Sequence, residues 1–367
     1  MNKKNKQILF IAATRQNDGK TMVSLGLFNA IQEEIKNCAY IKPIGQQYHW
    51  VEKKQIDKDA ILFKKIYNLK TALKHMSPVA IPEGFTQKFI NKNNNEKLKK
   101  EIIHAKKELL KNNQFLLAEG TGHAGVGSVL NLSNSDTAKL IGAKVILVSI
   151  GGIGKTIDEI CLNKALFEQK GIQLMGVIIN KIKKDKYKKV SKYLKKGLEQ
   201  QGIKVYGCIP FVEMLIKPRV ASIFEHLAVN VLAGKEKLLN KVGKIIIGDM
   251  VPHDLISMLK PNTVLIVPAN REGLIMTALS GSLLDIKTKD FLSGLIFSDG
   301  KKPHKKVLAL VKKINIPTLL VKEDSFTVAT KINQILIKLK HEEQDKILKI
   351  QELIKEHINI KEIISDL

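Results

Sequence analysis

The chain has 367 residues, 61 Lys and Arg against 35 Asp and Glu, and a formal net charge of +26. This length predicts two or three domains, and a hydrophobic content of 44% excludes a wholly disordered protein. No apolar run approaches the roughly 18–20 residues that span a bilayer, which excludes a membrane-spanning protein. The cysteines, Cys38, Cys161 and Cys208, are scattered. They predict a reducing, cytoplasmic setting without a disulfide framework.

The excess of positive charge is mostly lysine. Arg15, Arg219 and Arg271 are the only arginines among the 61 basic residues, and isoleucine and asparagine are also abundant. Lys, Ile and Asn have A/T-rich codons, so codon usage explains the charge without a polyanionic partner. Nucleic-acid sites favour Arg, which bonds bidentately to bases and phosphates. The composition therefore argues against nucleic-acid binding, although the run Lys183–Lys196 has eight lysines and one aspartate. A solvated helix face is the alternative interpretation of that run.

Apolar segments of strand length alternate with helical patterns through the first half. A helix is predicted from Thr21 to about Ile35. The predicted strands are Gln7–Ala13, Cys38–Ile44, Phe115–Ala118, Lys144–Ile150, Leu174–Asn180 and Lys204–Ile209. Strand–helix–strand alternation is typical of an α/β fold with a mostly parallel sheet and helices on both faces.

A second strand series predicts another, smaller α/β domain. Its predicted strands are Lys244–Gly248, Thr263–Pro268, Phe291–Phe297 and Thr318–Val321. The final segment has Ile347, Ile350, Ile354 and Ile358 spaced three and four apart, which predicts an amphipathic C-terminal helix docked on its own chain or on a second copy. We therefore divide the chain into domains 1–215 and 216–335 and a helical segment 336–367.

The first predicted strand leads into a candidate phosphate loop, Thr14-Arg15-Gln16-Asn17-Asp18-Gly19-Lys20-Thr21. Such a loop needs inward-facing backbone N–H groups, a lysine on the phosphates and a hydroxyl on Mg²⁺, and the helix that follows directs its positive end at the anion. We therefore predict an ATP site at Asn17, Asp18, Gly19, Lys20, Thr21 and Met22, with Lys20 catalytic.

A second Gly-Lys-Thr follows the predicted strand Lys144–Ile150, within Gly151-Gly152-Ile153-Gly154-Lys155-Thr156. Two arguments favour Lys20 over Lys155 as the phosphate lysine. The first loop follows the first strand, with carboxylates at the ends of the next strands. Asp158 and Glu159 are also expected in the first turn of the helix after the second loop, where they would repel phosphate. The second loop then serves as a close-packing turn, or Gly152 and Lys155 contact an anionic substrate.

Charged residues follow other predicted strands and are expected to converge at one edge of the sheet. Glu119 ends one strand and opens a glycine-rich stretch, and Asp57 and Asp59 lie beyond Lys42. Carboxylates at strand ends face the crevice where such sheets bind ligands, and they are suitable ligands for Mg²⁺. In the glycine-rich stretch, Gly122 allows close approach of a ligand. His123 is either a substrate contact or a polar loop residue.

With these motifs, residues 1–215 resemble the dethiobiotin synthetase-like P-loop ATPases, whose fold is shared with cobyrinic acid diamide synthases. The resemblance rests on Asp18-Gly19-Lys20-Thr21, Tyr40-Ile41-Lys42-Pro43, Asp59-Ala60, Glu119-Gly120-Thr121-Gly122, Val177-Ile178-Ile179-Asn180 and Gly207-Cys208-Ile209-Pro210. It implies that Lys20 contacts phosphate and that Lys42 faces a substrate carboxylate or the transferred phosphate. It also implies that Thr21, Asp59 and Glu119 surround Mg²⁺ and that Asn180 and Pro210 line an adenine pocket. Ala13 and Thr14 depart from the glycines usual at the start of the loop.

Residues 216–335 resemble the DRTGG domain, although the naming motif is absent. The resemblance rests on Gly248-Asp249-Met250, Asn270-Arg271-Glu272 and Glu323-Asp324-Ser325-Phe326-Thr327-Val328. This domain order is similar to the amino-terminal part of long phosphate acetyltransferases and to stand-alone ATPases without the acetyltransferase domain. We also predict a homodimer.

Three functions remain open on sequence alone. The first is a MgATP-dependent enzyme that phosphorylates a small carboxylate. The second is a regulatory module that binds a nucleotide and senses a ligand. The third is a basic nucleic-acid binder.

Overall fold

The computed structural model describes residues 6–227, 231–284, 292–335 and 338–367. Phe291, the first residue of one predicted strand, and residues 336–337 of the C-terminal segment lie outside these ranges. In the described residues the strands are β1 Gln7–Ala13, β2 Cys38–Ile41, β3 Ile44–Gly45, β4 Tyr48–Val51, β5 Lys54–Asp57, β6 Val79–Ala80, β7 Phe115–Glu119, β8 Lys144–Ile150, β9 Leu174–Ile182, β10 Val205–Pro210, β11 Val231–Ala233, β12 Lys244–Ile247, β13 Thr263–Pro268, β14 Leu292–Ser298 and β15 Thr318–Leu320.

The helices of the same ranges are α1 Lys20–Glu34, α2 Lys58–Ile66, α3 Leu73–Met76, α4 Phe85–Lys92, α5 Glu96–Lys111, α6 Asn134–Ile141, α7 Gly154–Gln169, α8 Tyr187–Gln200, α9 Glu213–Ile216, α10 Val220–Leu227, α11 Pro252–Met258, α12 Glu272–Leu284, α13 Lys305–Ile314, α14 Ser325–Asn333, α15 Gln344–His357 and α16 Ile360–Asp366. No helix in the described ranges is both long enough and apolar enough to cross a membrane.

The chain forms two compact units. The first unit contains Met1–Val212 together with Gln344–Leu367, and the second contains Glu213–Glu343. The C-terminal segment therefore packs with the first unit, although the whole second unit separates the two in sequence.

The described part of the first unit has a six-stranded parallel sheet in the order β10-β9-β8-β1-β7-β2. Right-handed crossovers place α1 on one face and α5 to α8 on the other. The C-terminal helices complete the face of α1, because α15 contacts both α1 and β10. The predicted parallel α/β sheet with helices on both faces is confirmed.

The sheet order changes direction between β1 and β8. The chain leaves β1 towards β2 through α1, and it leaves β8 in the opposite direction through α7 on the other face. A crevice therefore opens at the carboxyl ends of β1 and β8, which is where parallel α/β sheets bind their ligands. Both Gly-Lys-Thr loops lie beside this crevice.

The described part of the second unit has a five-stranded sheet in the order β11-β15-β14-β13-β12, in which the short strand β11 alone is antiparallel to its neighbour. One face packs against α11, α12 and α13, and the other packs against α10 and α14. The predicted second α/β domain is confirmed.

Candidate functional site

The loop between β1 and α1 is fixed by hydrogen bonds from its own residues. The Asp18 carboxylate accepts from the Thr14 hydroxyl at 2.7 Å and from the backbone N–H of Arg15 at 2.8 Å. Burial raises the pKa of Asp18 above its ordinary value, and the hydrogen bond from Thr14 opposes this effect. Thr14, at a position where glycine is usual, thus stabilises the turn through its side chain.

The carboxyl end of β9 also holds this loop. Asn180 donates its side-chain N–H to the Asp18 carbonyl at 2.9 Å, and the Lys181 ammonium donates to the Asn17 carbonyl at 2.6 Å. Gly19 has a φ of 99°, and a Cβ there would lie 2.2 Å from the Asn180 amide nitrogen. Only glycine meets both requirements at this position.

Lys20 is the first residue of α1 and is only 8% exposed. Burial and, to a smaller extent, the nearby Lys42 ammonium lower the pKa of Lys20 to about 8, against the opposing charges of Glu119, Asp18 and Asp59. No acidic residue lies in the first turn of α1. The buried ammonium and the helix N-terminus are therefore a favourable environment for an anion.

Glu119, at the end of β7, connects three other side chains. Its carboxylate accepts from the Thr21 hydroxyl at 2.8 Å, from the Lys42 ammonium at 2.9 Å and from the Tyr40 hydroxyl at 3.2 Å. Glu119 is fully buried. The carboxyl ends of β2 and β7 and the start of α1 thus meet at one buried carboxylate.

Lys42 pairs with a second carboxylate. Its ammonium lies 2.8 Å from Asp59 and donates to the Gly120 carbonyl at 3.2 Å. Burial alone would lower the pKa of Lys42, but Asp59, Glu119 and Asp57 together raise it above its ordinary value. Asp57 caps α2 by accepting from the backbone N–H of Asp59 at 2.9 Å, which positions Asp59.

The residues implied as magnesium ligands, Thr21, Asp59 and Glu119, are brought together by the fold. They supply one hydroxyl and two buried carboxylates, which are the hard oxygen donors that Mg²⁺ prefers. In the described ranges no group of three or more His, Cys, Asp and Glu side chains is arranged to hold a metal. The donor set thus fits an ion that completes its shell with water and phosphate oxygens, as Mg²⁺ usually does.

The second Gly-Lys-Thr loop differs from the first in the environment of its lysine ammonium and of its threonine hydroxyl. The Thr156 hydroxyl donates to the Ile150 carbonyl at 2.9 Å, and Lys155 is exposed. The expectation that Asp158 and Glu159 lie in the first turn of the following helix was wrong. Because α7 begins at Gly154, that turn has no acidic residue. Glu159 instead pairs with Arg15 at 2.8 Å.

The glycine-rich stretch after β7 is organised by a residue that the sequence analysis missed. Buried Asn134 accepts from the Thr121 N–H at 3.1 Å and donates to the carbonyl of His123 at 2.6 Å. Gly122 has a φ of 67°, and His123 is exposed, with its ring nitrogen accepting from the Gly125 N–H at 3.2 Å. Asn134 had no recognisable signal, because it begins a helix far along the chain.

The residues implied for an adenine pocket lie at adjacent strand ends. Pro210 is the last residue of β10 and lies opposite Ile182, the last residue of β9. The Asn180 side chain is already engaged, since its oxygen accepts from the Lys181 N–H at 2.9 Å while its nitrogen holds the loop. Met22 is half-buried in the first turn of α1.

Comparison with protein families gives two matches in tandem. The family described as AAA domain matches residues 7–219, and the DRTGG domain matches residues 222–335. Both resemblances inferred from the motifs are confirmed.

The curated relatives are of two kinds. Phosphate acetyltransferase of Nitrosomonas europaea is 22% identical over 359 residues, covering 95% of this chain and 50% of that protein. Phosphate acetyltransferase of Nitratidesulfovibrio vulgaris is 24% identical, covering 97% and 51%. The ATP-dependent dethiobiotin synthetase BioD of Clostridium kluyveri is 28% identical over 187 residues, covering 48% of this chain and 75% of that protein. The chain thus spans about half the length of the phosphate acetyltransferases that it matches.

Similar solved structures include a putative plasmid partition protein of Borrelia burgdorferi bound to AMPPNP. It is 16% identical, with a TM-score of 0.39, covering 58% of this chain and 90% of that one. The MinC:MinD cell division complex of Aquifex aeolicus has a TM-score of 0.38 at 15% identity, covering 57% and 84%.

Proposed function

Because this chain belongs to the AAA domain family, with a DRTGG domain after it, we propose that its first unit binds MgATP and phosphorylates a small carboxylate. The observation that carries the proposal is the buried cluster around Glu119. It joins the Thr21 hydroxyl and the Lys42 ammonium on one carboxylate, beside Lys20 at the start of α1. Each group suits one part of a phosphoryl transfer.

Lys20 and the N-terminus of α1 hold the phosphates in this proposal. The positive end of the helix and a buried ammonium attract the same anion. Thr21, Asp59 and Glu119 would hold Mg²⁺, which neutralises negative charge on phosphate oxygens. Asn180 and Lys181 keep the loop closed around that position through their bonds to Asp18 and Asn17.

Lys42 orients the acceptor. Its raised pKa keeps its ammonium charged. Its three N–H groups are donated to Asp59, Glu119 and the Gly120 carbonyl, so it would hold an acceptor carboxylate or the phosphoryl group in transfer once Mg²⁺ takes over one of those carboxylates. A carboxylate oxygen attacks the terminal phosphorus, and ADP leaves with the bond electrons. The contribution of the chain is positioning and electrostatic stabilisation of the transferred group. Gly122, His123, Gly152 and Lys155 are proposed to lie on the acceptor side of the site.

A regulatory module is the second candidate. It is supported by the match to about half the length of the phosphate acetyltransferases and by the DRTGG domain that follows the nucleotide unit. In this case the Lys20 loop binds a nucleotide and the second unit senses a ligand or partner, without turnover. Nucleic-acid binding has weaker support, because all eight lysines of Lys183–Lys196 are exposed while Leu194 and Leu198 of α8 are buried, as in a solvated helix face.

Calorimetry with MgATP tests the nucleotide site. We expect Lys20→Ala to lose about tenfold or more in affinity, since a charge-assisted hydrogen bond to phosphate contributes about 1.5–3 kcal/mol. Lys155→Ala is the matched control and should bind like the wild type. Undiminished binding by Lys20→Ala, with loss in Lys155→Ala, would transfer the assignment to the second loop.

Phosphate release distinguishes the two candidates. A panel of carboxylate metabolites should include one that accelerates release by the wild type and not by Lys42→Met. If release stays slow with every acid while MgATP still binds, the enzymatic proposal fails and the regulatory one stands.

Two further proposals concern the setting of the protein. Cys38, Cys161 and Cys208 are all unpaired, which supports a reducing, cytoplasmic environment. The predicted homodimer stays a prediction, which sedimentation with and without MgATP tests.

A further inference from the structure

A cavity of about 560 Å³ lies in the first unit beside the β4–β5 hairpin. The hairpin forms one wall, and α3, β6 and α5 supply the others. The side chains that set its chemistry are an aromatic ring, three lysines, two histidines and one carboxylate: Trp50, Lys53, Lys54, Lys74, His75, His104 and Glu101.

The lining of this cavity has a net positive charge, contributed by exposed lysines. Within the described residues, Lys53, Lys54 and Lys74 take part in no ion pair, and Glu101 is the one carboxylate that lines the wall. Burial lowers the pKa of His75, and Lys74, His104 and Lys54 lower it further while Glu108 opposes them. Cations that repel one another at a concave surface are stabilised when an anion enters between them.

Trp50 adds a planar apolar surface to the same cavity. It is 68% exposed, although a ring of this size is usually largely buried. Its ring is held edge-on to Tyr48, with centroids 6.5 Å apart, on the same face of β4. An exposed aromatic ring beside lysines suits a ligand that has both apolar and charged parts.

The cavity is physically connected to the Lys42 cluster. Ser77 lines it, and the Ser77 hydroxyl accepts from the backbone N–H of Asp57 at 2.9 Å. Asp57 in turn caps the helix that positions Asp59 on Lys42. Ser77 therefore connects the wall of the cavity to the residue that places a carboxylate in the candidate phosphoryl-transfer site.

We propose that this cavity is a second ligand site, specific for a small multivalent anion such as a polycarboxylate or a phosphorylated metabolite. The Lys20 loop belongs to a different set of elements, so this site stands whether or not the first unit proves to be an enzyme. Glu101 makes the site selective, because its carboxylate repels anions. An anion that contacts only one lysine is therefore expected to bind weakly, and one that contacts several lysines at once is expected to bind.

Tryptophan fluorescence provides a direct assay, because Trp50 is the only tryptophan of the chain. The full chain is titrated with citrate and, separately, with inorganic pyrophosphate, in the wild type and in Lys20→Ala, at constant ionic strength. We expect a saturable change in emission with at least one of the two probes, and the same affinity in Lys20→Ala. Citrate alone would indicate a polycarboxylate ligand, and pyrophosphate alone a phosphorylated one. No saturable change with either probe, or a change lost in Lys20→Ala, would overturn the proposal.

Charge variants separate binding in the cavity from a non-specific effect, because they are expected to change the affinity for the anion in opposite directions. Lys54→Gln with Lys74→Gln should weaken binding by about tenfold or more, whereas Glu101→Gln should tighten it by severalfold. Lys192→Gln is the matched control, since it removes one exposed lysine from α8 of the same unit. Equal affinity in the wild type and in these three variants would mean that the anions respond to the net charge of the chain. That result would contradict a specific site in the cavity.

Discussion

The hydroxyl groups of Thr14 and Ser149 lie 2.9 Å apart in a hydrogen bond, and both residues are buried. They occupy corresponding positions in the two Gly-Lys-Thr loops, five residues before the glycine of each motif. Thr14 has one hydroxyl proton and donates it to Asp18, so Ser149 is the donor in the bond between them. The two loops that flank the crevice are thus connected by a chain from Ser149 through Thr14 to Asp18.

A double-mutant cycle measures this connection. Thr14→Val should destabilise the first unit by about 1–3 kcal/mol, because it removes one of the two donors to the buried Asp18 carboxylate, and Ser149→Ala should cost less. We expect a coupling of about 1 kcal/mol between the two changes. Urea unfolding followed by Trp50 emission gives the free energy of the first unit specifically. Strictly additive effects would show that the two hydroxyls do not depend on each other.

Removal of the Lys42 ammonium should destabilise the protein in a pH-dependent way. Lys42→Met leaves Asp59 and Glu119 buried without their cation, which costs about 3–5 kcal/mol at neutral pH. A buried carboxylate that loses its cation favours its neutral form, so the folded variant is expected to bind protons that the unfolded chain does not. Its deficit relative to the wild type should therefore shrink as the pH falls from 7 to 5.

Two further measurements test the origin of the instability expected in Lys42→Met. Magnesium chloride should stabilise Lys42→Met more than the wild type, because the two carboxylates and Thr21 then lack a competing cation. Lys20→Met is the control, and it should lose little stability, since burial already disfavours the charge of Lys20. A deficit of the same size at both pH values would contradict the proposed origin of the effect.

Nucleotide affinity should fall above pH 8. Burial lowers the pKa of Lys20 to about 8, and only the protonated ammonium attracts phosphate. Affinity is thus expected to be flat below pH 8 and to fall by up to about tenfold per pH unit above it. Calorimetry from pH 7 to 9 measures the profile. Lys20→Arg, which stays charged throughout, should flatten it. An equal decline in both proteins would mean that another group titrates.

Gly19→Ala should lower the free energy of unfolding, and adding Asn180→Ala should restore part of that loss. A Cβ at Gly19 meets the Asn180 amide and also has an unfavourable φ of 99°. The steric part disappears when Asn180 is shortened, while the backbone strain of order 1–3 kcal/mol remains. The free energies of unfolding of the single and double variants separate the steric contribution from the backbone strain. A double variant as unstable as the sum of the singles would exclude the contact.

The C-terminal segment contributes to the stability of the first unit. Ile354 is fully buried against Gly26 of α1. A Cβ added to Gly26 would lie only 2.2 Å from the Cγ1 atom of Ile354. Ile354→Ala should cost about 3 kcal/mol of unfolding free energy. Leu348→Ala, on the same helix and 62% exposed, should change it by less than about 0.5 kcal/mol. Similar losses for both would contradict the docking.

Most strands of the two sheets were predictable from continuous apolar runs, as in Lys144–Ile150, which the structure reproduces in β8. The run Cys38–Ile44 was predicted as one strand, and the structure divides it into β2 and β3 around Pro43, which has no N–H to donate. The convergence of Glu119 and Lys42 followed from their positions at strand ends, whereas α2 brings Asp59 to Lys42.

The β4–β5 hairpin could not be predicted. Its turn has Glu52 at φ 47° and Lys53 at φ 63°, whereas turns of this kind are usually made by Asn and Gly. Lys181 was missed for a related reason, because a strand-end residue with a φ of 56° gives no sequence signal. The C-terminal segment forms two helices because Asn359 caps α16 and donates its N–H to the Tyr206 carbonyl.

The division of the first unit into two stretches of sequence sets an order for its folding during synthesis. The ribosome completes the phosphate loop and all six strands of the sheet before it makes the second unit, and α15 and α16 follow only after that. Until then, α1 and β10 lack the helices that cover them. The nascent chain therefore exposes an apolar surface for as long as the 131 residues of Glu213–Glu343 take to emerge. We expect the second unit to be folded by then, so that the first unit becomes native only after the second.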